Sequence, residues 1–195
     1  MTVPGPESLT ERQAERRRRV VLAGIDLASE GGYDAVQMRE VAARAEVALG
    51  TIYHYFSSKD HLMAAAMLDW IEQFARQVEQ RPAQGDSDRT RVLDLLGRFT
   101  DAMSRDRALS SAVVTGFVSP SPEIAAIQDK LHSTWSGAVG TAFGPEVDAP
   151  HRARIIRVLE HVWFSGLIGW VMGWMPLEQA ITELHDAVDL LLPPG

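Results

Sequence analysis

The chain has 195 residues and no cysteine. That rules out a disulfide framework and any thiolate metal site, and it fits a reducing, cytoplasmic setting. No stretch alternates with strand period for long enough to argue for a sheet, and no internal repeat is present. There is no phosphate-binding glycine loop, HExxH, GxSxG or dinucleotide fingerprint. Asp94, Asp101 and the scattered His132, His151, His161 and His185 form no metal or catalytic spacing. Neither an enzyme nor a bound metal or cofactor is therefore expected. The opening MTVPGPESL lacks the apolar core and early positive charge of an export signal. The most lipid-like run, Val162 to Met175, is fourteen residues long. That is too short to cross a bilayer, so no membrane partner is expected.

A hydrophobic content of 46% is enough to build a buried core. Helical signals then divide nearly the whole chain. Residues 1–9 read as a disordered tail with Pro4, Gly5 and Pro6. Thr10 and Gln13 make a capping box for a helix whose buried stripe is Val21, Leu22, Ile25 and Ala28, stopped by Gly31-Gly32. Ser57 or Ser58 caps a long helix from Lys59 to about Gln80. Further helices are expected over about 89–105, 108–118, 123–143, 151–175 and 177–192, separated by Pro82, Ser119-Pro120-Ser121-Pro122, Gly144-Pro145 and Pro176. The expected fold is all-α with about nine helices. An N-terminal three-helix helix-turn-helix domain, residues 10–58, would precede a helical ligand-binding and dimerisation domain, residues 59–195.

The net charge of −7 is unusual for a protein with an anionic partner. Up to His61, however, eight basic residues face nine acidic ones, so most of the acidity lies downstream. Local clustering decides phosphate binding, and Arg16 to Arg19 form one dense basic run. That run has two readings. Its members reach DNA phosphates, with Arg18 the candidate, or they form a solvated face paired with Glu11 and Glu15.

The segment VQMREVAARAEVALGTIYHYFSSK, Val36 to Lys59, is the most informative. Met38, Val41, Ala42 and Ala45 give a first helix one apolar face, with Arg39, Glu40 and Arg44 toward water. A three-residue turn leads to a short second helix, roughly Leu49 to Phe56. There Ile52 and Phe56 point inward, while Thr51, Tyr53, His54 and Tyr55 face outward. Hydroxyls, an imidazole and aromatic edges on one helix suit the major groove. Gly50 lets backbone approach the sugar-phosphate wall, and Thr51 offers a methyl and a hydroxyl. Tyr53 and Tyr55 can donate to phosphates, and Lys59 adds a point charge.

Gly50-Thr51-Ile52-Tyr53-His54-Tyr55-Phe56 with Lys59 resembles the recognition helix of the TetR family of bacterial transcriptional regulators, G-T-[LI]-Y-x-[YH]-F followed by lysine. Ala48 stands where family members often carry a small hydroxyl residue, and Leu49 could contact a base instead. The resemblance implies double-stranded operator DNA as a partner, with Gln37, Arg39 and the recognition helix reading it. GGYDAVQMREVAARAEVALGTIYHYFSSKDHL and RVLEHVWFSGLIGW are further similar to an actinobacterial branch of the family that represses cholesterol catabolism. That branch implies a lipid, steroid or acyl-CoA effector. The alternative is a regulator of efflux responding to drug-like compounds. A helical ligand-binding protein or enzyme without DNA binding is the reading from another class.

A chamber for a small apolar effector is expected from Met63, Met67, Leu96, Phe99, Met103, Val114, Phe117, Leu131, Trp135, Trp163 and Phe164, since methionine and aromatics repack around an apolar guest. Taken singly, most of these positions are more often ordinary core. Along the penultimate helix Ser165, Gly169 and Gly173 recur every four residues, with Trp170 and Trp174 on a neighbouring face. With Leu184 and Val188 of the last helix they are expected to pair two copies of the chain as a four-helix bundle. The other reading is that both helices only complete the core of one chain.

Overall fold

The computed structural model describes residues 10–193. The expected N-terminal tail, 1–9, lies outside the described residues. Among the described residues the chain forms nine α-helices and no strand. They are α1 Glu11–Ala35, α2 Met38–Arg44, α3 Leu49–Tyr55, α4 Lys59–Gln80, α5 Asp88–Ser104, α6 Arg107–Phe117, α7 Pro122–Gly140, α8 Ala149–Met172 and α9 Leu177–Leu191. The expected cap of α1 is present, while caps not foreseen start α5 at Asp88 and α8 at Ala149, and α8 ends at Met172 rather than 175. Gln13 Oε1 accepts from the Thr10 N–H at 2.8 Å, Ser87 Oγ accepts from the Thr90 N–H at 3.2 Å, and Asp148 accepts from the His151 N–H at 3.0 Å. Gly31 and Gly32 break the helical path inside α1.

The helices cluster into two compact units. One holds the described residues 10–69 together with Asp106–Asp129. Its α1 buries Val20, Val21, Ala23, Gly24, Leu27 and Ala28. The stripe is rotated from the expected one, because Leu22 is 46% exposed and Ile25 only half-buried. Residues 20, 24 and 27 share a face, and Leu22 lies about 200° round the helix from Val20. α6 packs along α1. The fit against α4 depends on Gly116, where an added Cβ would sit 2.5 Å from the Met63 Cβ and 2.8 Å from the Asp60 carbonyl oxygen.

The other unit holds Trp70–Arg105 and the described residues 130–193. Here α8 pairs with α9, and Gly166 abuts Ala180. By length and mean hydropathy (1.3) all of Ala149–Met172 could cross a membrane, which the fourteen-residue run did not suggest. Its apolar side is instead occupied within the protein: Ile155, Ile156, Leu159, Trp163 and Leu167 are buried. α9 contributes Leu184 and Val188 to the same interior. Gly173 ends α8 in the left-handed region, φ 84°, and its N–H donates to the Gly169 carbonyl.

Candidate nucleic-acid interface and aromatic interior

The candidate reader belongs to the first unit. α2 and α3 are seven-residue helices joined by a turn in which Glu46 takes φ 54°, an uncommon conformation for a residue with a side chain. Val41, Ala42 and Ala45 hold α2 on the core, and Ile52, Tyr55 and Phe56 hold α3. Arg44 makes a two-pronged ion pair with Glu30, at 2.7 and 2.9 Å. The hydrogen bond to Arg44 keeps the Glu30 carboxyl below its usual range and raises the guanidinium in turn. This pair ties the end of α2 to α1, so Arg44 serves the fold.

Gln37, Arg39, Ala48, Gly50, Tyr53 and His54 are exposed, and Leu49, Thr51 and Lys59 are half-buried. Tyr55 departs from the expectation: it is 3% exposed and faces the core. On a helix of 3.6 residues per turn, Tyr55 follows Ile52 by three positions and shares its buried side, while Tyr53 and His54 fall opposite. Among the described residues, leaving out its chain neighbours and its own helix backbone, no atom lies within 4 Å of where a Cβ on Gly50 would stand. No internal contact demands glycine there. Ala48 is the N-cap of α3 and supplies no side-chain bond. Lys59 is held over the Tyr33 ring, 3.8 Å from its centroid, and donates to the Tyr33 carbonyl at 3.4 Å.

The arginine run divides. Arg17 is turned inward, its guanidinium 5.1 Å from the Phe56 ring centroid, while Arg16, Arg18 and Arg19 are exposed. Arg17 thus braces the end of α3 from α1. Behind the reader, His61 packs edge-on against Phe56 with centroids 5.4 Å apart, and its Nδ1 accepts from the Ser57 N–H at 3.3 Å. Burial lowers its pKa; Glu123 pulls it partly back, and Arg17 lowers it further.

The expected ligand residues are divided between the two units. Met63, Met67, Val114 and Phe117 are buried in the first unit, and Met63 is committed to packing against Gly24 and Gly116. Leu96, Phe99, Met103, Leu131, Trp135 and Trp163 are buried in the second unit, where Phe164 is half-exposed. There an aromatic layer forms. Trp135 stacks on Phe74 at 6.0 Å and on Trp163 at 5.3 Å, and Phe99 meets both tryptophans at 5.2 and 4.9 Å. Phe74 was not among the expected residues; its i, i+3 and i+4 spacing from Ile71 and Val78 on α4 was the available signal. A cleft of about 330 Å³, counting space open to solvent, lies beside the layer. Met103, Trp163, Trp170 and Leu184 line it together with Thr100 and Ile181.

The small-residue stripe of α8 has internal uses. An added Cβ on Gly169 would lie 2.8 Å from the Trp174 ring and 2.9 Å from Met175 of the same chain, and Gly173 is the helix terminator. Leu184 and Val188, expected at an interface between copies, are 3% and 0% exposed within one chain. They sit on the inner side of α9 because α9 covers α8. The large apolar groups left outside on this pair and the turn between them are Val158, Met172, Trp174 and Leu190, with Ser165 also exposed.

Residues 20–66 match the profile of bacterial regulatory proteins of the TetR family, and residues 85–191 match the tetracyclin repressor-like C-terminal domain. The chain is 34% identical over 183 residues to the HTH-type transcriptional repressor KstR of Rhodococcus jostii, covering 94% of this chain and 85% of that one. A solved TetR transcriptional regulator from Rhodococcus sp. RHA1 superposes with TM-score 0.82 at 32% identity, covering 94% of this chain and 98% of that one. FadR of Thermus thermophilus, a TetR-family repressor solved with lauroyl-CoA, shares the fold with TM-score 0.66 at 19% identity, covering 90% and 93%.

Proposed function

The chain belongs to the TetR family as a transcriptional repressor related to KstR, and from that premise we propose that it binds a palindromic operator as a homodimer and leaves it when an apolar effector fills the helical body. Its relatives are repressors, not enzymes. One observation carries the operator contact: α3 is anchored by Ile52, Tyr55 and Phe56 while Gly50, Tyr53 and His54 stay exposed, as do Gln37 and Arg39. The open space over Gly50 supports close approach of DNA backbone there. Arg18, exposed on α1, and Lys59 at the start of α4 would add phosphate contacts.

The homodimer reading rests on the apolar groups left outside on α8, α9 and the turn between them, namely Val158, Met172, Trp174 and Leu190. Two copies would present two recognition helices to two half-sites about one helical turn apart. The effector reading, a lipid, steroid or acyl-CoA, is supported by the kinship with KstR and by the aromatic layer. A neighbour of the same fold, FadR of Thermus thermophilus, was solved with lauroyl-CoA. α4 begins at Lys59 beside the reader and carries Phe74 in its second half. An effector preferring a form with differently spaced readers would shift the population away from DNA.

The test is fluorescence anisotropy with the DNA upstream of the protein's own gene, at several salt concentrations and with lauroyl-CoA added. Binding should weaken linearly in log–log form with salt and be reversed by the thioester. Gly50→Leu should abolish binding while the protein stays folded by circular dichroism. Unchanged affinity of that variant would overturn the placement of α3 on DNA.

A further inference from the structure

Among the described residues, one buried side-chain nitrogen has no hydrogen-bond partner: Nε1 of Trp135, on a residue 1% exposed. Leaving such a donor unmet costs about 1–3 kcal/mol, so it calls for an account. The stacked neighbour shows the same problem solved. Trp163 donates its Nε1–H to Thr100 Oγ1 at 3.1 Å, and Thr100 passes its own hydrogen to the Leu96 carbonyl at 2.8 Å. A phenylalanine at 135 could also stack on Phe74 and Trp163 and would carry no orphan. The stacking contacts with Phe74 and Trp163 use the ring faces and leave the indole nitrogen without a role.

We propose that Trp135 is the polar anchor of the effector site, its indole N–H donating to a carbonyl-type oxygen of an otherwise apolar ligand seated against the aromatic layer at Trp135. This deepens the effector reading above and rests on it. The chemistry narrows the ligand. Indole nitrogen is a donor only, so its partner is an acceptor. A plain hydrocarbon leaves it unmet. A cation is attracted by ring faces but repelled at the N–H edge. A carboxylate would enter an apolar layer at high desolvation cost. A ketone, ester or thioester oxygen on a ring system or chain fits all three constraints. Trp163 lines the neighbouring cleft as well as stacking on Trp135, and Met103 beside it is an adaptable wall, so the layer has room to yield.

The test uses the full chain labelled with ¹⁵N, whose five tryptophans give five indole resonances. The probes are lauroyl-CoA and androst-4-ene-3,17-dione. At least one should bind and move the Trp135 resonance downfield as the new hydrogen bond forms, with the Trp163 resonance moving less. Trp135→Phe should bind that probe about five- to tenfold more weakly, the value of one hydrogen bond, with DNA affinity in the absence of probe unchanged. If the variant fails to fold, the wild-type resonance, assigned through the backbone, decides. A bound probe that leaves the Trp135 resonance in place, or a folded variant that binds like wild type, overturns the anchor. If a probe releases the DNA from wild type and variant alike, the anchor falls and the effector reading stands. If neither probe binds nor releases DNA, both fall.

Discussion

Tyr33 donates its hydroxyl to Asp60, 27 residues further along the chain, and the other oxygen of that carboxylate accepts from Ser119 Oγ at 2.8 Å. One side chain at the start of α4 therefore pins the end of α1 and the turn between α6 and α7. Burial, then the hydrogen bond and charge of Asp60, hold the Tyr33 phenol above its ordinary value of 10.0. In the unfolded chain that phenol ionises first as pH rises. Its contribution is thus fully present below about pH 10 and lost above it. Tyr33→Phe should cost about 1 kcal/mol at neutral pH and make the alkaline loss of stability less steep. Asp60→Ala, which strands two hydroxyls, should cost about 1–3 kcal/mol. Urea unfolding across pH 7 to 11 measures both.

His61 predicts the opposite limb. Burial, only partly countered by Glu123, holds its imidazole below the ordinary 6.5. The unfolded chain therefore takes up a proton that the folded chain refuses. Stability is full above about pH 6.5 and falls as the solution is acidified. His61→Phe should flatten the decline between pH 7 and 5, seen as a shallower dependence of the urea midpoint on pH. An unchanged slope would assign the acid limb to other groups.

Tyr53 and Tyr55 should part company under mutation. Tyr55→Ala removes a buried ring and should destabilise by about 3–5 kcal/mol, as for a core phenylalanine. Tyr53 is 48% exposed, so Tyr53→Ala should change stability by no more than about 0.5 kcal/mol. It should instead weaken operator binding about five- to tenfold and leave the salt slope unchanged, because a neutral hydroxyl on a phosphate releases no counterion. Denaturation and anisotropy on the same samples separate the two outcomes.

Leu190 is 84% exposed on α9. Leu190→Lys should leave the fold intact and raise the dimer dissociation constant at least about tenfold, measured by sedimentation velocity. Val188→Lys should unfold the chain instead, because that position is 0% exposed within one copy.

The α4 and α9 boundaries were readable to within a residue because capping residues, prolines and apolar spacing are local signals. Other features were not readable. Glu46 occupies a left-handed turn position without being glycine or asparagine, so no residue type announced it. Tyr55 was misplaced because a tyrosine suits either side of a short helix, and only the packing of α3 chose the inner one. The stripe of Ser165, Gly169 and Gly173 resembled a helix-pairing motif, yet Trp174 folds back over Gly169 from beyond the helix end.

The sequence by itself determined an all-helical chain, a helix-turn-helix segment between Val36 and Lys59, and its kinship, since periodicity, caps and the run Gly50 to Phe56 are written in order along the chain. The tertiary structure alone decided which side chains remain available. It turned Arg17 onto Phe56 and Lys59 onto Tyr33, took Leu184 and Val188 into one chain's interior, and gave Trp163 a hydrogen-bond partner that Trp135 lacks. Such outcomes depend on groups far apart in sequence competing for the same buried space and the same acceptors, and no local pattern encodes that competition.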